Sequence, residues 1–331
     1  MNIRCNCGSN CVKSANETLK DFKLHYTPCG SCEDPNLKKF IPLVKQIDVE
    51  TIDKDYGLCS CGKRHLDFVM AHTLGLMIKY GIKDRNSRLR DVGSPLVSIA
   101  FPLDSAPYLS KDSLIILFDE MNKDCADIMV QSVPEIKGIL KGNIRETVGV
   151  KNSKCNVYEL LSGCDMRCDI VHSCYGDISI YKYQHEIHVE LPKPTSPKIV
   201  NLSKALNKYK NPKVLDCTCG PGTLGIAALK AGAEYVVFSD IWHAAVDMTA
   251  LNLEVNGFPV NINSFNTKGD SLKNGVMAYG KNFKIYCADV NDLKTMLNEK
   301  FDVGVVDTFP GVKSAEFIES IKGFCNEVVV V

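Results

Sequence analysis

The sharpest pattern of hydrophobic and polar positions lies between Lys213 and Phe258. Two short apolar runs, at 214–215 and 235–238, have the β-branched and aromatic residues typical of buried strands. Each run is followed by a segment with apolar residues at helical spacing, and Gly232 stops the first of these segments. The pattern therefore predicts strand, helix, strand, helix, which is a βαβ unit with a second helix behind it.

The turn between the first strand and the first helix carries the candidate chemistry. It has the sequence D-C-T-C-G-P-G from Asp216 to Gly222, and Gly220 and Gly222 let the backbone approach a ligand with no side chain in the way. Asp240 follows the second strand, about 20 residues after the turn, where a carboxylate can bind both hydroxyls of a ribose. A dinucleotide or S-adenosylmethionine (SAM) suits this geometry. Asp216 before the glycines and Pro221 between them favour SAM.

These residues resemble the first motif of class I SAM-dependent methyltransferases, an acid followed by three residues and G-x-G. The next helix, A-V-x5-N-x3-N-G from Ala245 to Gly257, is similar to a helix of ribosomal-protein and tRNA methyltransferases. The resemblance implies a Rossmann-like α/β domain at the C-terminus, in which the turn holds the methionine, Asp240 the ribose and an acid after the third strand the adenine. That last acid could instead cap the helix that follows it. The implied SAM-binding residues are Asp216, Gly220, Gly222, Asp240 and Asp289.

The fourth strand of this domain, Phe301–Val306, ends in D-T-F-P-G at 307–311. In the family that the resemblance indicates, this strand end faces the methyl group. Asp307 and Phe309 are therefore the predicted catalytic residues, with Asp307 as the base. Members that methylate base nitrogens often have a double proline before the aromatic residue, and its absence here counts against methylation of an amino nitrogen.

The sequence ends in a fifth strand, Val328–Val331, whereas the family usually adds two more. We therefore expect a sheet with a minimum of five strands, unless an upstream segment supplies the other two. Its open edge would be covered by the N-terminal part of the chain or by the second subunit of a homodimer.

Cysteine usage is unusual: the chain has 16 cysteines, and seven of them lie before residue 62. They form the groups C-x-C-G-x-x-C, C-x-x-C and C-x-C-G-x-x-H, in which glycine allows tight turns that aim neighbouring side chains at one point. Two ligands from each of two groups make a tetrahedral zinc site, and four thiolates could equally hold an iron–sulfur cluster. The ligands suffice for two sites, which would stabilise a small region without a large core. The predicted metal ligands are Cys5, Cys7, Cys11, Cys29, Cys32, Cys59, Cys61 and His65.

A second cysteine-rich stretch lies further along the chain. Its spacing does not match the C-x3-C-x2-C motif of radical-SAM enzymes. Together with His172, its thiols could bind a metal, or they could be buried apolar groups. The stretch contains Cys155, Cys164, Cys168 and Cys174.

Composition and patterning divide the chain into a Cys-rich metal-binding region at 1–65, an accessory domain at 66–192 and the SAM-binding domain at 193–331. Mixed helix and strand patterns indicate that the accessory domain is a small α/β or α+β domain, with an interrupted helix over 121–140. A proline-rich linker follows it. The segments V-P-E-I-K-G-I-L and E-L-L-S-G of this domain are loosely similar to archaeal tRNA guanosine methyltransferases.

Charge and apolar content limit the partners. Lys plus Arg and Asp plus Glu number 39 each, so there is no net charge to attract nucleic acid, although a local basic face is not excluded. The polar start shows no secretion signal, and no stretch approaches the about 18 apolar residues of a membrane span. We therefore expect a cytoplasmic protein without membrane contact. In that reducing compartment the cysteines favour metal ligands or free thiols over disulfides.

The leading hypothesis is a SAM-dependent methyltransferase acting on a small molecule or a metal-cofactor precursor, with RNA less favoured. The cysteine content and the altered fourth-strand loop favour an alternative from another class. In that alternative the chain is a maturation protein of methanogenic archaea that uses a methyltransferase-like fold, for example to assemble the iron-guanylylpyridinol cofactor. A further alternative is a tRNA methyltransferase. The expected cofactors are SAM and either zinc or an iron–sulfur cluster.

Overall fold

The computed structural model describes residues 5–20, 22–149, 157–263, 275–309 and 311–331. The helices in these ranges are α1 (Ala15–Leu19), α2 (Leu66–Lys79), α3 (Lys123–Ser132), α4 (Pro197–Leu206), α5 (Thr223–Lys230), α6 (His243–Val255), α7 (Val290–Met296) and α8 (Ser314–Ile321). Short 3-10 helices lie at Phe22–Leu24, Leu43–Lys45, Val49–Thr51 and Leu89–Asp91. Within the described part of the chain, no helix has the length and apolar character needed to cross a membrane.

The strands build four sheets among the described residues. The strands before the linker are β1 (Arg64–His65), β2 (Ser94–Val97), β3 (Ile99–Ala100), β4 (Tyr108–Leu109), β5 (Leu114–Phe118), β6 (Ile136–Lys141), β7 (Glu159–Gly163), β8 (Met166–Val171) and β9 (Ile178–Tyr183). Those after it are β10 (Lys213–Asp216), β11 (Tyr235–Asp240), β12 (Asn261–Ile262), β13 (Val276–Gly280), β14 (Phe283–Cys287), β15 (Phe301–Val306) and β16 (Cys325–Val330).

The C-terminal part is a three-layer α/β domain on a seven-stranded sheet of order β12-β13-β14-β11-β10-β15-β16. The five strands from β14 to β16 in this order are parallel. Successive residues of a strand face opposite sides, so Val214 packs with the layer of α4, α5 and α6, and Leu215 packs with α7 and α8. The direction of winding reverses between β10 and β15, which opens a crevice at their carboxyl ends, where such sheets bind ligands. This architecture confirms the predicted Rossmann-like domain.

The sheet has seven strands rather than the five-stranded minimum, because an upstream segment supplies two more. β13 pairs antiparallel with β14, and β12 pairs antiparallel with β13, so two further strands extend the sheet beyond β14. They come from the chain between α6 and β14, on the edge opposite to β16. The short β12 and the bulge in β13 weaken the period-two pattern, which is why the sequence did not predict them.

The accessory region contains the sheet β2-β5-β6-β7 and the smaller sheet β3-β8-β9. β5 is buried at every position, and β6 lies parallel to it after the crossover through α3. The helix predicted over 121–140 is therefore wrong in its second half, because α3 ends at Ser132 and Ile136–Lys141 is a strand. Pro134 ends the helix, and the isoleucines beyond it favour extended structure.

One hydrophobic core joins the cysteine-rich region to the rest of the chain. Leu43 and Val49 belong to the same buried cluster as Leu74 of α2, and this cluster extends to Met248 and Leu251 of α6. Apolar burial therefore helps to hold the described part of the cysteine-rich region in place, in addition to any metal.

Two asparagines attach β9 to α6. Asn252 accepts from the Tyr181 backbone N at 2.7 Å and donates to the Tyr181 carbonyl at 2.9 Å. Asn256 makes the same pair of bonds with Ser179, at 3.2 and 2.8 Å. β9 is the edge strand of its sheet, so the two amides satisfy backbone groups that a further strand would otherwise pair. The N-x3-N spacing of α6 thus fixes the accessory region against the C-terminal domain.

Candidate active site and metal centres

The turn between β10 and α5 forms the floor of the candidate cofactor site. Gly220 and Gly222 have φ values of 52° and 89°, in the left-handed region that favours glycine. A Cβ at Gly222 would come within 3.1 Å of Thr249, whereas one at Gly220 would meet nothing within 4 Å. Gly222 is therefore needed for the turn and its packing on α6, while Gly220 borders open space where a ligand can lie.

Asp216 ends β10 and is fully buried. Its Oδ2 accepts from the Gly225 backbone N at 2.9 Å, while its Oδ1 has no hydrogen-bond partner among the described residues. Burial raises the pKa of Asp216 to about 8. A buried carboxylate oxygen without a donor is costly. The site therefore suits a ligand with a cationic group, such as the methionine part of SAM.

Asp240 is the last residue of β11, and Asp289 follows the neighbouring strand β14. Asp240 accepts from the backbone N of Gly220 through Oδ2 and of Trp242 through Oδ1, both at 2.9 Å, so it ties the glycine turn to the second strand. A carboxylate has about four acceptor positions, so Asp240 can also accept from ribose hydroxyls. Asp289 caps α7 by accepting from the Asn291 backbone N at 3.1 Å, as the alternative interpretation of this residue predicted.

Helix α6 holds the turn from its other side through two residues that the sequence did not single out as ligand-site residues. Thr249 Oγ1 donates to the Gly220 carbonyl at 2.8 Å, and Asn252 Nδ2 donates to the Pro221 carbonyl at 2.9 Å. Because Asn252 also holds β9, one side chain links the cofactor turn to the accessory region. The helix motif that contains Asn252 was the available signal for this role.

Asp307 leaves β15 beside the cofactor turn, where its backbone N donates to Thr218 Oγ1 at 2.7 Å. Its Oδ2 accepts from Lys198 Nζ at 2.6 Å, and the same ammonium donates to Glu190 Oε1 at 3.0 Å. Burial lowers the pKa of Lys198, but Glu190 and Asp307 outweigh that effect and raise it overall. Burial raises the pKa of Asp307, against the lowering effect of Lys198. The predicted base is thus paired with an ammonium through its Oδ2.

His188 contacts the other predicted catalytic residue. Its ring packs edge-on against Phe309, with the ring centroids 5.5 Å apart. Its Nδ1 is buried and has no hydrogen-bond partner within the described ranges. Burial lowers the pKa of His188, so the imidazole is neutral near pH 7. An isolated histidine carries no spacing signal, which is why only the folded chain reveals this residue.

The two cysteines of the turn are buried thiols. Cys217 Sγ donates to the Val305 carbonyl at 3.0 Å, and Cys219 Sγ lies 3.5 Å from Thr249 Oγ1. Burial raises the pKa of both thiols well above the usual value. They remain protonated near pH 7 and serve as small packing residues rather than nucleophiles.

Four cysteine sulfurs meet where the N-terminal segment reaches Cys164, which lies between β7 and β8. The Sγ atoms of Cys5, Cys7, Cys11 and Cys164 all lie within 4.8 Å of one another. Cys5 is 3.4 Å from both Cys7 and Cys164, and Cys11 is 3.5 Å from Cys7 and 3.8 Å from Cys164. We call this set the Cys164 centre.

A second set combines the other two knuckles. The Sγ atoms of Cys29, Cys32, Cys59 and Cys61 also lie within 4.8 Å of one another. Cys29 is 3.5 Å from Cys59 and 3.7 Å from Cys32, and Cys32 is 3.6 Å from Cys61. We call this set the Cys61 centre.

In both sets the distances between sulfurs suit four ligands around a single metal ion in tetrahedral coordination. Thiolates about 2.3 Å from a central zinc ion lie about 3.8 Å from one another. In an iron–sulfur cluster with four cysteine ligands the thiolates are distributed over two or four iron atoms, which would hold at least some of the sulfurs further apart. If all four thiols lost their protons, the thiolates at these separations would repel one another strongly unless a cation lay between them. The donor set therefore fits a divalent metal ion.

The eighth predicted ligand lies elsewhere. His65 Nδ1 accepts from the Asp67 backbone N at 3.1 Å, so His65 caps helix α2 and belongs to neither centre. The ligand that completes the Cys164 centre comes from the second cysteine-rich stretch. Of the other cysteines in that stretch, Cys168 and Cys174 lie outside both centres, and Cys155 lies outside the described residues.

Comparison with known proteins agrees with this geometry. Residues 194–281 match the family model of ribosomal protein L11 methyltransferase (PrmA). The doubly wound sheet, the acid before G-x-G and this match define the C-terminal domain as a class I SAM-dependent methyltransferase domain. SAM is the cofactor of that class.

The chain resembles individual relatives over limited stretches. It is 48% identical to ribosomal RNA large subunit methyltransferase I of Photobacterium profundum over 58 residues, 17% of this chain and 15% of that protein. It is 30% identical to ribosomal protein L11 methyltransferase of Shewanella pealeana over 122 residues, 36% of this chain and 40% of that protein. Each alignment thus spans less than half of the relative.

Solved structures to which the chain is similar include two chains with low TM-scores. TYW2 of Pyrococcus horikoshii in complex with MeSAdo has a TM-score of 0.40 at 15% identity, covering 75% of this chain and 74% of that chain. Trm5 of Methanocaldococcus jannaschii in complex with adenosine has a TM-score of 0.36 at 18% identity, covering 64% of this chain and 53% of that chain.

Proposed function

We propose that this protein transfers a methyl group from SAM to an RNA acceptor. The observation that carries the proposal is Asp216, whose buried Oδ1 lacks a partner in the turn that the methyltransferase family model matches. The names of the relatives suggest the class of acceptor, because one is a ribosomal RNA methyltransferase and another a ribosomal protein methyltransferase. Neither name supports the small-molecule acceptor that the neutral net charge favoured. RNA therefore replaces it as the leading acceptor, with a ribosomal protein as the second candidate.

The cofactor-binding roles follow the crevice from one side to the other. Asp216 faces the cationic methionine part, and the left-handed turn at Gly220 and Gly222 gives it room. Asp240 accepts from the ribose hydroxyls. Asp289, at the neighbouring strand end, lies where the adenine would be bound.

The acceptor side is built from Phe309, His188 and the Asp307–Lys198 pair. SAM, when bound, supplies a methyl group on a positively charged sulfur, so the protein needs mainly to position the acceptor. Phe309 offers a flat face on which a base can stack. His188, neutral and beside that face, accepts the proton that the acceptor loses. Asp307, held by Lys198, orients the acceptor through hydrogen bonds.

The two cysteine centres support a structural role for metal. Zinc matches four thiolates in tetrahedral geometry, and the sulfur separations favour single ions over a polynuclear iron cluster. This weakens the cofactor-maturation alternative, which the cysteine count had favoured. The Cys164 centre would fasten the first residues of the chain to the accessory region, and the Cys61 centre would join the two halves of the cysteine-rich region.

Calorimetric titration with SAM tests the cofactor site. We expect the wild-type protein to bind SAM and Asp216→Asn to bind it at least tenfold more weakly, because the amide presents no negative charge to the methionine part. Asp104→Asn, an equally conservative change in an exposed loop, is the matched control and should bind like the wild type. Equal affinity of all three proteins would contradict the assignment of Asp216.

Transfer of a radiolabelled methyl group from SAM into ribosome-depleted and ribosome-containing cell extracts tests the acceptor. Label that is released by ribonuclease and resists protease supports RNA. Label that is released by protease and resists ribonuclease would indicate a protein acceptor instead of RNA. Label that passes an ultrafiltration membrane without any digestion would support the small-molecule hypothesis.

A further inference from the structure

Two segments of the N-terminal half carry an excess of positive charge. Residues 38–45 and 79–91 together contain eight Lys or Arg and two Asp, in a chain whose total charge is zero. The rest of the protein is therefore net negative, and the positive charge is concentrated here. We call these two segments the basic face. Its cationic residues are Lys38, Lys39, Lys45, Lys79, Lys83, Arg85, Arg88 and Arg90.

Backbone contacts hold the two segments against each other. Pro42 and Arg88 form a β-bridge, and the Leu43 backbone N donates to the Ser87 carbonyl at 3.1 Å. Leu43 and Leu89 are buried beneath the segments, at 0% and 5% exposure. The apolar residues thus anchor the face, and seven of the eight cationic residues are exposed, with Lys83 partly exposed.

Few of these charges are neutralised within the protein. Lys39 pairs with Asp67 at 3.5 Å, and Arg90 pairs with its neighbour Asp91 at 3.7 Å. The second acid of the face, Asp84, accepts from the Asn86 backbone N at 2.7 Å within its own turn. In the described part of the chain no ion pair is formed by Lys38, Lys45, Lys79, Lys83, Arg85 or Arg88.

Two exposed aromatic rings lie among the cations. Phe40 is 69% exposed and Tyr80 is 46% exposed. The Arg90 guanidinium lies 5.3 Å from the centre of the Phe40 ring, and Lys79 Nζ lies 6.0 Å from that of Tyr80. Exposed rings among cations are the combination that binds single-stranded nucleic acid, since bases stack on the rings and phosphates pair with Lys and Arg.

We infer that the basic face binds a single-stranded segment of RNA. The inference rests on the proposed RNA acceptor and adds where that RNA is held outside the catalytic crevice. It also explains how a chain of zero net charge can bind a polyanion, because the local rather than the total charge decides the attraction.

The Cys61 centre supports this face. Cys32, a candidate ligand, lies six residues before Lys38, and the buried Leu43 fixes the segment that carries Lys38 and Phe40. Metal at the centre therefore limits the conformations of this segment, and its removal should weaken RNA binding without touching the SAM site.

Fluorescence anisotropy with a labelled 20-nucleotide oligo(U) tests the inference at several KCl concentrations. The test variant is Lys38→Glu/Arg85→Glu/Arg88→Glu. The control is Lys210→Glu/Lys281→Glu/Lys300→Glu, which makes the same change in charge at exposed loop positions of the C-terminal domain. We expect the test variant to bind at least tenfold more weakly, and its slope of log affinity against log salt to fall by about 2, because each lost phosphate contact on a single strand removes about 0.7. Phe40→Ala should bind roughly 5- to 100-fold more weakly at unchanged slope.

The inference would be overturned if both triple variants lost the same affinity for oligo(U), or if the test variant bound oligo(U) as tightly as the wild type. It would also be overturned if Phe40→Ala had no effect and the wild type bound phosphatidylserine vesicles more tightly than oligo(U). Calorimetry with SAM and the methyl-transfer assay run on the same proteins separate this inference from the proposed function. If the test variant methylated RNA as well as the wild type, the inference about the basic face would be rejected and the proposed function would stand. If RNA bound through the basic face but no methyl group was transferred, the proposed function would be rejected and the inference about the face would stand.

Discussion

Replacing Cys164 by alanine probes a contact that joins distant parts of the chain. Cys164 provides the fourth sulfur of a centre whose other three ligands lie within residues 5–11. Cys168→Ala is a matched control, because this buried thiol lies four residues further along, in β8, and outside both centres.

The size of the effect follows from sharing the metal-binding free energy among the ligands. Structural zinc sites with four ligands are worth about 10–16 kcal/mol, or about 2.5–4 kcal/mol per ligand. Loss of Cys164 should therefore weaken metal binding at its centre about 100- to 1,000-fold. The control should cost about 1–2 kcal/mol of unfolding free energy for the lost packing and leave both ions in place.

Metal analysis after dialysis against a competing chelator measures the outcome. We expect two ions per chain in the wild type and in Cys168→Ala, and one in Cys164→Ala. Limited proteolysis should then cut the first residues of Cys164→Ala faster, because they lose their attachment to the accessory region. Two tightly held ions in Cys164→Ala would refute the four-cysteine centre.

Three further predictions concern the crevice. Burial raises the pKa of Asp216 to about 8, and SAM favours the ionised carboxylate, so SAM affinity should rise up to tenfold per pH unit from pH 6 to 8 and then level off. Calorimetry in buffers of different ionisation enthalpy should show that binding releases a proton. An affinity that does not change with pH would contradict this prediction. His188→Gln should lower kcat about 100-fold with SAM affinity unchanged, and the control His172→Gln should not; equal kcat values would remove the base role. Asn252→Ala should destabilise the fold by about 3 kcal/mol in denaturant titration, since it leaves buried backbone groups unpaired, whereas the exposed Asn261→Ala should change it by less than about 0.5 kcal/mol.

Local pattern was sufficient for the parallel strands and the cofactor turn. The runs that became β10, β11, β14 and β15 are short and apolar because both faces of a parallel sheet are buried, so their sequences show the strands directly. The hairpin of β12 and β13 and the strand β6 were not predicted. Each is decided by a pairing partner elsewhere in the chain rather than by its own sequence.

The cysteine spacing showed that metal centres were to be expected, but not how their ligands are shared. Tight glycine turns such as that at Gly8, with φ of 78°, are local and are visible in the motif. The grouping of ligands is a property of the fold. The third knuckle ends in His65 as a helix cap, and Cys164 reaches the first knuckle only after the sheets have formed.

Local sequence was enough to predict the class of the C-terminal domain, the position of its glycine-rich turn and the presence of clustered thiols. These depend on residues close together in the chain, whose backbone conformation and spacing are locally encoded. By contrast, the pairing of Lys198 with Asp307, the contact of His188 with Phe309 and the basic face of a neutral chain become visible in the folded protein alone. These depend on residues brought together from distant positions by burial of the core, which no local pattern specifies.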